Sequence, residues 1–202
     1  DSKAYDGTPL TNSTVGIDGL IDGESVTLTA TGSQTEVGSS DNTYDITWSN
    51  ATAGNYTVTN NLGKLTVTEN AVAVTLTAPS VSKEYDGTAL TKTTGVVADG
   101  LPAGFTLEAT ATGSQTDAGS SANVVNDGYV IKDAGGNDKT ANFTSVTKVD
   151  GTLTVNPKAV TITTGGASKV YDGTALTDAT VGIEGLIDGE SVTLTATGSQ
   201  TE

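Results

Sequence analysis

Residues Ser2–Glu36 and Ser168–Glu202 are almost the same 35 residues, differing only at Ala4/Val170, Pro9/Ala175, Asn12/Asp178, Ser13/Ala179 and Asp18/Glu184. Between them Tyr-Asp-Gly-Thr recurs at Tyr5, Tyr85 and Tyr171, 80 and 86 residues apart. Self-similarity at a fixed period limits the fold more than total length does, because one unit must close its own small core before it can be strung in series. The period places a complete copy at residues 71–156, running from "AVAVTLTAPSVSKEYDG" to "GTLTVN". Residues 1–70 read as a copy lacking its opening strand, and residues 157–202 as the front half of a third.

Within a copy the pattern is that of strands. In "SVTLTATG" Val26, Leu28 and Ala30 alternate with Thr27, Thr29 and Thr31, and in "FTLEATATG" Phe105, Leu107, Ala109 and Ala111 alternate with polar residues. Period-2 alternation with outward threonine is the signature of a strand with one buried face. The same reading makes strands of "TYDITWS", "NYTVTN", "GKLTV" and "GTLTV", and no stretch carries a helical period. Turn signals such as Asp-Gly and Ala-Gly-Gly separate the runs. The expected fold is all-β: small Ig-like β-sandwich repeats in a rod, or β-grasp-like repeats. The joins "VTENAVAV" and "VNPKAV" are too short and strand-like for flexible linkers.

Composition removes several classes of function. Nine lysines, no arginine and 24 acids give a net charge of −15, a surface that repels nucleic acid. Without cysteine there is no disulfide framework or thiolate metal site. Without histidine, cysteine or arginine the common general base, thiolate nucleophile and bidentate anion clamp are missing, so the chain reads as non-enzymatic. No apolar run approaches the length of a membrane-spanning helix.

Three features invite a chemical reading, and each has a plain structural one. In the Tyr-Asp-Gly turns (Tyr5, Asp6, Gly7; Tyr85, Asp86, Gly87; Tyr171, Asp172, Gly173) an aromatic beside a carboxylate suits a sugar or a cation. Turn chemistry explains them equally: the ring packs at a strand end, aspartate caps the turn and glycine takes the positive φ. Asp18, Asp22 and Glu24 in "GIDGLIDGE" suggest calcium, but no EF-hand or nonapeptide signature is present and "VVADGLPAGF" loses most of the acids, so no cofactor is expected. Lys83 and Asn156 form a conceivable isopeptide pair, yet Lys83 reads as a solvated surface lysine.

The set "K-x-Y-D-G-T-x-L-T", "N-Y/F-T" and "G-K/T-L-T-V" resembles the YDG and MBG-type repeats of large bacterial surface proteins. The resemblance implies a non-catalytic stalk of an adhesin or surface filament, extracellular or attached to the cell wall, holding a binding region away from the cell. The alternative is that the repeats themselves bind host glycan or mucin. Partners expected on this reading are neighbouring repeats of the same or an adjacent chain. A head-to-tail contact would have Lys158–Glu202 of one chain completing residues 37–70 of the next.

Overall fold

The computed structural model describes residues 1–202. It is all-β: eighteen short strands in seven small sheets, two single-turn 3-10 helices at Ala53–Asn55 and Thr140–Asn142, and no α-helix. No helix is long and apolar enough to cross a membrane.

The chain divides into two compact units. One comprises Asp1–Thr77, Val96–Thr110 and Asn126–Val149, the other Ala78–Gly95, Ala111–Val125 and Asp150–Glu202. Compactness and sequence period therefore divide the chain differently, since residues 71–156 contribute to both units.

In the first unit, strand Lys64–Thr68 lies between Ser2–Ala4, parallel to it, and Gly38–Asp41, antiparallel. Leu65 and Val67 face inward from it and are fully buried. Strand Val74–Thr77 likewise lies between Val146–Val149, parallel, and Val97–Asp99, antiparallel, and buries Val74 and Leu76 completely. Two hairpin-like pairs complete the unit, Val26–Ala30 with Tyr44–Trp48 and Thr106–Glu108 with Val130–Lys132.

The second unit holds a four-stranded sheet in the order Ala111–Thr112, Gly119–Val125, Gly151–Asn156, Val81–Glu84, whose last two strands are parallel. Its buried residues include Leu153, Val155 and Asn123. Asn123 donates to the carbonyls of Pro79 (3.0 Å) and Lys92 (2.9 Å), which satisfies two backbone acceptors of the loops beside the sheet. Strand Thr161–Thr164 pairs antiparallel with Val181–Glu184 and is exposed along its whole length.

Two differences from the sequence reading have local causes. "FTLEATATG" is not one strand: Thr106–Glu108 pairs with Val130–Lys132, while Ala111–Thr112 pairs with Gly119–Val125. The run switches partners, so its alternation survives but its continuity does not. "NYTVTN" forms no strand after the 3-10 turn. Its counterpart Val146–Val149 is a strand through pairing with Val74–Thr77, whereas Val58–Asn61 is paired with no strand.

Candidate functional site

The three Tyr-Asp-Gly turns adopt one set of hydrogen bonds. The carboxylates of Asp6, Asp86 and Asp172 each accept the backbone N–H of Thr8, Thr88 and Thr174 at 2.9 Å, and the same threonine's hydroxyl as well. In all three turns the intervening residue is a glycine at positive φ, Gly7 at +79°, Gly87 at +76° and Gly173 at +79°, a conformation that glycine adopts without steric cost. A lysine three residues before each aspartate completes the turn: Lys3 and Lys169 reach Oδ1 at 2.7 Å, and Lys83 at 2.5 Å. Lys83 is therefore held by Asp86, Thr88 Oγ1 and the Thr88 carbonyl, and is not the freely solvated lysine read from sequence.

The lysine ammonium, followed by the threonine donors, holds the Asp6 and Asp172 carboxyls down from 3.8 to about 2, and Asp86 well below the carboxylate range. Unfolded, these groups take up protons first as pH falls, so their contribution is complete above about pH 4 and disappears between pH 4 and pH 2. All three carboxylates face solvent, which keeps the contribution small. Urea midpoints of the native chain should fall over that pH window, and the slope should flatten in the combined Asp6→Asn, Asp86→Asn, Asp172→Asn variant. An unchanged slope would refute the turn's role.

What distinguishes the three turns is where the tyrosine goes. Tyr5 is buried in an edge-to-face trio with Phe105 (centroids 5.8 Å apart, 76°) and Phe143 (6.2 Å, 80°). The Tyr5 carbonyl accepts Asn70 Nδ2 at 2.9 Å, and the Asn70 N–H donates to the Asn142 carbonyl at 2.7 Å. Lys139 pairs with Glu36 at 2.7 Å in the same unit. The first turn is thus packed on aromatics that belong to residues 71–156.

Tyr85 makes the corresponding contact in the second unit with other chemistry. Its hydroxyl donates to Glu190 Oε1 at 2.8 Å, and Gly87 lies against Ile187. Aligning "DGLPAGF" with "EGLIDGE" places Glu190 where Phe105 stands. In both cases a turn from one copy meets the loop after the Gly-Leu of the next. Tyr171, with no such loop of this chain against it, is 75% exposed, so its ring is not packed as the sequence reading of the turn requires.

The other candidates are placed apart. Glu24 accepts the Tyr56 hydroxyl, and no group of three or more acidic side chains comes together to hold a metal ion. Trp48 and Tyr56 stack on each other with centroids 5.4 Å apart. Sequence reading left the turn lysine in solvent and missed a glutamine: Gln34 and Gln115 donate to the Glu36 and Asp117 carbonyls at 2.7 Å, and Gln200 to that of Glu202. The recurring "K-x-Y-D" and "G-S-Q-T" spacings were the available signal.

A family model described as the YDG domain matches residues 156–202. That stretch contains Lys169, Tyr171, Asp172, Gly173 and Thr174, so the match falls on one of the three turns whose geometry is given above. No curated protein matches the chain, and neither does any solved structure.

Proposed function

We propose that this chain is a run of non-catalytic stalk repeats, of β-sandwich type, from an extracellular bacterial surface protein, and that the Tyr-Asp-Gly turn is the joint between neighbouring repeats. The observation that carries the reading is the docking of Tyr5 on Phe105 and Phe143, and of Tyr85 on Glu190: each turn is seated on the copy that follows it. A joint closed by a packed ring or a hydrogen bond, beside the covalent link to which the Tyr5 and Tyr85 N–H groups are tied through the Thr68 and Asn156 carbonyls, resists bending. The parallel pairing of Val81–Glu84 with Gly151–Asn156 supports the same reading, because the chain then enters and leaves a copy in one direction. Glycan binding by the repeats themselves gains less support, since Trp48 and Tyr56 present their faces to each other.

Small-angle scattering tests the proposal. Chains carrying additional copies of residues 71–156 should keep one cross-sectional radius while their maximum dimension grows linearly with copy number. A radius that grows with copy number, or a length that saturates, would defeat the stalk reading.

A further inference from the structure

The two seated tyrosines are held by different parts of the side chain. Tyr5 is held by its ring, packed on Phe105 and Phe143, and a Cβ on Gly7 of the same turn would lie 3.0 Å from the Phe105 ring. Tyr85 is held by its hydroxyl, which donates to Glu190 Oε1 at 2.8 Å. The turns themselves do not cause the difference, because both carry the same lysine, tyrosine, aspartate, glycine and threonine and close through the same bonds. The cause lies in the copy that receives the turn.

Two positions of the receiving copy change together. Glu24 and Glu190 occupy one place in the nearly identical stretches Ser2–Glu36 and Ser168–Glu202, and in residues 71–156 that place is Phe105. The second position follows a 3-10 turn: Phe143 after Thr140–Asn142, and Tyr56 after Ala53–Asn55. Phe105 and Phe143 meet edge to face, with centroids 5.4 Å apart. Glu24 and Tyr56 also meet, through a hydrogen bond from the phenol to the carboxylate, and the same phenol oxygen accepts the Ile21 N–H at 3.3 Å.

Each pair is chemically self-consistent, and a mixed pair is not. A carboxylate set against a phenylalanine ring has no donor there, and desolvating it without one is costly. Tyrosine at the second position supplies that donor, and a carboxylate with two oxygens can accept a second phenol as well. We infer, on the reading of the turn as a joint, that the receiving face of a copy comes in two forms: a Phe/Phe form that recognises the ring of the turn tyrosine, and a Glu/Tyr form that recognises its hydroxyl. The residues at the two positions specify the form jointly, and Tyr56 is the positioning residue for the Glu24 carboxylate.

A double-mutant cycle in the first unit tests the coupling. Phe105→Glu should lower the urea midpoint read through Trp48. Adding Phe143→Tyr should restore at least half of that loss, whereas Phe143→Tyr by itself should not raise the midpoint. A double variant no more stable than Phe105→Glu alone, or failure of both chains to fold, would overturn the inference. The scattering result would stand in either case, because it tests whether a joint exists and not which form it takes. Hydroxyl recognition is tested in the second unit by Tyr85→Phe, which keeps the ring. The Glu190 N–H donates to the Ile187 carbonyl at 3.0 Å, and its exchange should quicken at least threefold in Tyr85→Phe and stay unchanged in Tyr171→Phe. Unchanged exchange in Tyr85→Phe, or equal acceleration in the two variants, would also overturn the inference.

Discussion

Replacing Tyr5 by alanine should destabilise the first unit by about 3–5 kcal/mol, the range for removing a large buried aromatic ring. Tyr5 is 1% exposed and supplies one ring of the trio with Phe105 and Phe143, whose own centroids are 5.4 Å apart at 80°. Edge-to-face pairs add to the area they bury, and a cavity at their centre cannot close without moving the backbone that carries the three rings: the end of Ser2–Ala4, the start of Thr106–Glu108 and the end of the 3-10 turn Thr140–Asn142. Tyr171→Ala removes the same side chain from the same turn where it is 75% exposed, and should change stability by less than about 0.5 kcal/mol. Urea unfolding followed through Trp48 measures the first variant, and amide exchange within the second unit measures the second. Equal effects would mean that the tyrosine serves only its own turn and that no joint exists.

Gly151→Ala should cost about 1–3 kcal/mol, the usual range for overpacking a filled interior. The added methyl would sit 2.2 Å from the oxygen and 2.6 Å from the carbon of the Pro79 carbonyl, and 2.7 Å from the Ala78 oxygen. These are backbone atoms, and the neighbouring Thr152 N–H is tied to Ser80 Oγ at 2.9 Å, so there is no flexible side chain to give way. Strand Gly151–Asn156 would have to separate from Val81–Glu84. Faster amide exchange at Leu153 and Val155 is the expected readout. Unaltered protection there would show that the close approach carries no energetic weight.

The two variants also mark what could be read in the sequence. Threonine alternation reveals the strands because burial of one face is a local, period-2 property, as Val26, Leu28 and Ala30 show by facing inward between exposed threonines. Positive φ at Gly7, Gly87 and Gly173 is legible for a similar reason: Asp-Gly is a turn signal carried by adjacent residues. The partners of the tyrosines are not legible. Phe105 and Phe143 are 100 and 138 residues from Tyr5 in sequence, and one is replaced by Glu190 at the corresponding place beside Tyr85. "NYTVTN" reads as a strand because its pattern is right, but a strand is a relation between two segments, and the pattern of one cannot supply the other.

The parallel ladder between Val81–Glu84 and Gly151–Asn156, the last strand of residues 71–156, has a mechanical meaning. A pull applied through the polypeptide acts on the beginning of Val81–Glu84 and on the end of Gly151–Asn156, which lie at opposite ends of the ladder. The load then runs along the strands and not across them. Four residue pairs, from Leu153 opposite Val81 to Asn156 opposite Glu84, must slide past one another together before either strand is free. An antiparallel ladder pulled from one end would unzip pair by pair. A short sheet with few hydrogen bonds can thus hold under tension well beyond what its size at equilibrium suggests, with rupture governed by the shear of the whole ladder.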